Sequence, residues 1–125
     1  MRTMSAPRRF SDAEHPYSPL RTAGDLVFVS GQLGVADGEI VDGGIVAETR
    51  QALTNLRAAL ATAGLGFPDI VKMTVYLASI TDRLAMDDVY IATLPAPLPA
   101  RTCFAVGELP FGARVELDAI AHQAT

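Results

Sequence analysis

The chain has 125 residues; half are apolar, 19% are charged and the net charge is −4. That length suits one core and is short of two. The acidic balance argues against a binder of nucleic-acid backbones, and no apolar run approaches the roughly 20 residues that span a bilayer.

Residues 1–125 read as one domain, with 1–15 polar, irregular and expected to be flexible. The opening residues lack the apolar core of a secretory signal. Cys103 is the only cysteine, so no internal disulfide forms, and a reducing cytoplasm is the expected compartment. Residues 25–33 are apolar and bounded by Gly24 and Gly34, which predicts a buried strand with Ser30-Gly31 at its end. Asp37-Gly38 signals a hairpin between two short segments.

Val46, Thr49, Leu53, Leu56, Leu60 and Ala63 recur at helical spacing and lay one apolar stripe, with Gly64 as the stop and Pro68 preventing continuation. Residues 70–79 alternate with period two. Val71, Met73, Val75 and Leu77 take one face, and Lys72, Thr74 and Tyr76 the other. A second helix is predicted over 82–94, capped by Thr81 and closed by Pro95, Pro97 and Pro99. Two closing strands then flank a turn at Leu109-Pro110-Phe111-Gly112 as a hairpin-like pair. The order is roughly β-β-β-α-β-α-β-β, an α+β fold whose helices cover one face of a mixed sheet. So apolar a composition on so small a globule leaves surface that calls for burial against further copies of the chain.

The closing strands hold the candidate chemistry. Arg101 opens the first and offers a planar fork that suits a carboxylate in bidentate fashion. Its bland alternative is solvent, or a cross-strand ion pair with Glu116 or Asp118. Glu116 lies in the second strand and can hold or deprotonate a water; as part of a polar face with Arg114, Asp118 and His122 it would simply be solvated. Cys103 has no neighbouring histidine, so a role through its backbone is expected before one through sulfur. Ser30-Gly31 permits close approach of a ligand and offers a hydroxyl to a water, or else makes a plain turn. Tyr17 follows Pro16 in an irregular segment where a phenol can cap a pocket. His15 and His122 have no partner at metal-ligand spacing and no glycine-rich phosphate cradle is present, so neither a metal nor a nucleotide is expected.

Taken in order, these segments resemble the RidA/YjgF family of reactive-intermediate (enamine/imine) deaminases. The resemblance runs from about Pro16 to Ala121. It rests on Pro16-Tyr17-Ser18, Val29-Ser30-Gly31-Gln32, Gln51-Ala52-Leu53-Thr54-Asn55-Leu56, Asp69-Ile70-Val71-Lys72, Pro99-Ala100-Arg101-Thr102-Cys103 and Val115-Glu116-Leu117-Asp118-Ala119-Ile120-Ala121. It implies a chorismate-mutase-like α+β fold, a mixed sheet with two helices on one face. It also implies a homotrimer whose sheets form a central barrel, with clefts between neighbouring subunits.

The implied reaction hydrolyses 2-imino acids to 2-keto acids and ammonia without a cofactor; the implied partners are small 2-imino or 2-keto acids, not nucleic acid or membrane. Carried across, Arg101 binds the substrate carboxylate, Glu116 holds the attacking water, and Ser30 and Gly31 contact water or substrate. The Cys103 backbone meets the carboxylate or keto group, and Tyr17 lines the cleft from the neighbouring subunit. Three positions depart from the family. Asp87 stands in the second helix where asparagine is frequent, and it either alters a contact with substrate in the cleft or simply faces solvent. The loop before Arg101 is shorter and proline-rich. His15 replaces the glycine that commonly precedes Pro-Tyr. The alternative function is a non-catalytic trimeric module binding 2-keto acids.

Overall fold

Period-two alternation builds a five-stranded sheet, and two amphipathic helices cover it. The computed structural model describes residues 15–124; the N-terminal stretch expected to be flexible lies almost wholly outside these. The elements are β1 (Leu20–Ala23), β2 (Leu26–Leu33), a small hairpin of β3 (Val35–Ala36) and β4 (Glu39–Ile40), α1 (Gly44–Ala61), β5 (Ile70–Leu77), α2 (Arg83–Thr93), β6 (Ala100–Ala105) and β7 (Val115–His122). The large sheet has the order β1-β2-β7-β5-β6. Its pairs are antiparallel except β5 with β6, which run parallel.

That order corrects two expectations. The closing strands do not form a hairpin, because β5 lies between them. A parallel β5–β6 pair needs a crossover, and α2 supplies it; β7 then returns antiparallel on the far side of β5. An additional strand, β1, precedes the apolar segment and pairs with it from Leu20 opposite Val29 to Ala23 opposite Leu26.

One core holds the layers together. Val27 and Val29 of β2, Met73, Val75 and Leu77 of β5 and Val115, Leu117, Ala119 and Ala121 of β7 pack against Leu53, Leu56 and Leu60 of α1 and Met86, Val89 and Tyr90 of α2. Full burial of each valine, leucine or methionine among them contributes about 1.5–3 kcal/mol. The opposite face carries Leu26, Phe28 and Phe104, all exposed. Val71, assigned by alternation to the core face, is exposed too. The pairing slips between Ile70 and Lys72, and this bulge turns Ile70 inward in its place.

Local chemistry sets the joints. The turn into α2 is capped two residues earlier than expected: Ser79 Oγ accepts from the Thr81 amide at 3.3 Å. Gly64, with φ of 74°, ends the first helical segment as its sequence indicates. Gly34 lets β2 touch α1, since a Cβ there would lie 2.6 Å from the Glu48 carbonyl oxygen. Glu48 is itself buried, and its carboxylate accepts from the Arg114 amide at 2.8 Å, which fixes the entry to β7. Among the described residues, no helix is long and apolar enough to cross a membrane.

Candidate active site

Arg101 is the second residue of the edge strand β6, opposite Met73 of β5. Side chains at aligned positions share a face, so Arg101 points to the helix side. There α2 presents Asp87 and Tyr90, three residues apart and therefore neighbours on one helix face. Arg101 Nη1 donates to Asp87 Oδ1 at 2.6 Å, with the two side chains 25% and 24% exposed. Its guanidinium carbon lies 4.8 Å from the centroid of the Tyr90 ring, a cation–π contact. The Tyr90 hydroxyl is buried with no hydrogen-bond partner among the described residues. Burial pushes the Tyr90 phenol up.

Burial also acts to lower the Arg101 pKa, but the hydrogen bond and charge of Asp87 outweigh it and the net direction is up. Cys103 shares this face, half-buried against the core. Burial raises its thiol pKa against the opposing pull of Arg101, which keeps the sulfur protonated and a poor nucleophile.

Glu116 belongs to a different place. It alternates with the core residues Val115 and Leu117 of β7, so it faces the open side of the sheet. Next to it, β2 carries a bulge. Val29 pairs with Ala119 and Gln32 with Leu117, so Ser30 and Gly31 together oppose the single residue Asp118. Ser30-Gly31 is thus an interruption inside the strand, where the sequence suggests a strand end.

The bulge brings Gly31 under the Glu116 carboxylate; a Cβ at Gly31 would lie 2.9 Å from Glu116 Cδ and closer still to Oε2. Ser30 Oγ donates to the Ser18 carbonyl at 2.6 Å, and the Ser30 amide donates to Pro19 O at 3.0 Å. These bonds hold the segment that carries Tyr17, which is exposed and stacked on His15 with centroids 5.2 Å apart.

Glu116 has no hydrogen-bond or ion-pair partner among the described residues. Burial first, and then the charge of Asp118, push its pKa up. Asp118, by contrast, accepts from Tyr76 Oη at 2.7 Å, and that bond does most to raise the Tyr76 phenol to about 12. The Tyr76 ring meets Phe104 edge-on at 5.5 Å.

The two halves do not meet within one chain. Phe104, Tyr76 and Glu116 align across β6, β5 and β7, and Arg101 lies three residues before Phe104. Strand spacing and rise then separate the Arg101 and Glu116 Cα atoms by roughly 14 Å, and their side chains leave opposite faces. The cross-strand ion pair of Arg101 with Glu116 or Asp118 is therefore ruled out. The Asp87 and Tyr90 contacts were hidden from the sequence, because nothing local says which strand α2 packs against. Their three-residue spacing on the helix was the one available signal. Among the described residues, no group of three or more His, Cys, Asp or Glu is placed to hold a metal.

The sequence profile of the family described as endoribonuclease L-PSP matches residues 6–123. The chain belongs to this family, also called RidA/YjgF. A Capra hircus relative named 2-iminobutanoate/2-iminopropanoate deaminase is 46% identical over 110 residues, or 86% of this chain and 80% of that one. Protein Mmf2 of Schizosaccharomyces pombe, named as mitochondrial, is 40% identical over 111 residues, or 86% and 88% of the two chains. The crystal structure of E. coli TdcF with bound serine matches with a TM-score of 0.82 at 34% identity, covering 90% of this chain and 91% of that one. The mixed sheet with two helices on one face is the fold of these RidA/YjgF structures.

Proposed function

We propose that this RidA/YjgF chain hydrolyses small 2-imino acids to 2-keto acids and ammonia, in a homotrimer whose sites lie between subunits. The observation that carries this reading is Glu116. A half-buried carboxylate with no partner among the described residues, under which Gly31 leaves clearance, is costly for the fold and useful for holding water. The goat relative named as a deaminase, at 46% identity, supports the reaction class. The opposite orientations of Arg101 and Glu116 support assembly, since a second copy is needed to bring one half against the other.

In this mechanism Arg101 takes the substrate carboxylate, and the backbone at Cys103 lies along the same edge. Glu116 accepts a proton from water as the water oxygen bonds to C2. Glu116 passes that proton to the imine nitrogen to give a carbinolamine, then takes the carbinolamine hydroxyl proton and returns it to nitrogen, so that the C–N bond breaks to leave the keto group and ammonia. The sum is imine plus water giving ketone plus ammonia. Ser30 has its own proton committed to the Ser18 carbonyl, so its remaining lone pairs accept from the water. Tyr17 walls the cleft, and Asp87 meets the substrate through Arg101. No cofactor enters these steps, and their setting is a reducing cytoplasm.

The experiment generates 2-iminopropanoate in solution with an amino-acid oxidase and follows its loss with and without the protein. Acceleration over buffer is expected; equal rates overturn the assignment. One observation favours a second reading, a non-catalytic binder of 2-keto acids: Asp87 already compensates the charge of Arg101. Saturable pyruvate binding with no turnover of any imine would select it.

A further inference from the structure

We infer that Asp87 is a specificity-determining residue that admits monocarboxylates to the Arg101 pocket and rejects ligands bearing a second negative charge. The inference rests on the reading of Arg101 as the carboxylate-binding group.

The guanidinium is already engaged on two sides. Asp87 Oδ1 takes Nη1 at 2.6 Å, and Tyr90 underlies the plane at 4.8 Å. The remaining nitrogens have no partner among the described residues, and they form the edge open to a ligand. Asp87 uses only one of its oxygens in a hydrogen bond. Its second carboxylate oxygen makes no hydrogen bond among the described residues, and both side chains are about three-quarters removed from water.

A carboxylate arriving there meets a pair whose net charge is zero. One guanidinium edge still makes directed bonds to a single carboxylate. A second carboxylate has no equivalent partner and sees Asp87 at close range. The neighbouring cation is Arg83, one turn earlier on α2 and near enough to influence the Cys103 thiol. Its side chain is exposed, so water and salt screen its pull. Asp87 is three-quarters shielded and is not screened to the same degree. At separations of ~7 Å in such a setting, one extra like-charge contact changes affinity by roughly tenfold or more.

Two ligands of equal chain length isolate this effect: 2-oxopentanoate with one carboxylate and 2-oxoglutarate with two. Dissociation constants are measured calorimetrically for the wild-type protein, Asp87→Asn, Asp87→Ala and Asp87→Glu. Wild type is expected to prefer 2-oxopentanoate. Asp87→Asn should tighten 2-oxoglutarate roughly tenfold more than 2-oxopentanoate, and Asp87→Glu should restore the wild-type ratio.

If Asp87 merely buttresses Arg101, Asp87→Asn and Asp87→Ala weaken both ligands equally, and the inference falls. A wild-type preference for 2-oxoglutarate that disappears in Arg83→Ala overturns it as well, as does a failure of 2-oxopentanoate to bind the wild type or of 2-oxoglutarate to bind Asp87→Asn. Imine turnover by the wild-type protein is read in parallel. Turnover with an unchanged ligand ratio sinks only the role of Asp87. A shifted ratio without turnover sinks the deaminase reading and leaves the role of Asp87 standing.

Discussion

The guanidinium half and the carboxylate half of this chain are built in opposite ways. Arg101 is held by side chains, with Asp87 on one nitrogen and Tyr90 beneath its plane. Glu116 is shaped by backbone, through a bulge in β2 and a glycine under its carboxylate. The first charge is satisfied before any ligand arrives. The second is left unpaired among the described residues, and its raised pKa records the burial. A paired charge can be retuned by changing its partner, whereas an unpaired one can be retuned only through the space around it.

Deleting either half tests the comparison most severely. Arg101→Ala is expected to lower kcat/KM for 2-iminopropanoate by roughly a hundredfold or more, and Glu116→Gln by a similar factor. Unchanged kinetics in either variant would remove that residue from the mechanism. Co-expressing the two variants asks whether the halves come from different chains. Where each site takes Arg101 from one subunit and Glu116 from its neighbour, random mixing leaves about a quarter of the sites intact. Sites contained within single chains would recover nothing. Turnover by mixed assemblies, purified through two different tags, separates the outcomes.

A milder change probes the clearance around Glu116. Gly31→Ala places a methyl group against the outer atoms of that side chain, which is flexible enough to swing aside. The fold should survive while the carboxylate moves, with kcat/KM down roughly ten- to hundredfold and the circular-dichroism spectrum unchanged. Wild-type activity in this variant would show that the position of the carboxylate is not critical. In the proposed mechanism Glu116 has to be ionised to accept a proton, and its pKa is raised, so the acid limb of the kcat/KM profile should fall above the ordinary carboxylate range. In Glu116→Gln that limb should be missing from whatever activity remains.

The same contrast explains what the sequence revealed. Strands, helices and core came through because each is written in a local period: Leu53, Leu56 and Leu60 at helical steps, Met73, Val75 and Leu77 at every second residue. Arg101, Glu116, Ser30 and Gly31 stood out because charge or glycine interrupted such a pattern. Pairing across the sheet was hidden, since β6 and β7 are neighbours in sequence and yet are separated by β5. With that order unknown, a cross-strand pair of Arg101 with Glu116 looked open, and the true partner on α2 did not appear. The two bulges were invisible for a related reason. Each is a mismatch between strands, at Val71 and at Ser30-Gly31, and a single strand carries no record of its partner's register.

Stability gives the smallest effect and the cleanest opposition of sign. Burial raises the folded-state pKa of Glu116 above its unfolded value. Its contribution to stability is therefore present below the unfolded pKa, about 4.3, and is lost as pH rises through the raised folded value. At neutral pH the ionised side chain is a burden on the fold, and Glu116→Gln should raise Tm by a few degrees at pH 7, with the gain vanishing in acid. Arg101→Ala should instead lower Tm, because it strands Asp87 and uncovers Tyr90. Thermal denaturation of both variants across pH distinguishes the two designs. Should Glu116→Gln also lower Tm at neutral pH, Glu116 would be a structural group with a partner of its own, and its availability to water would have to be abandoned.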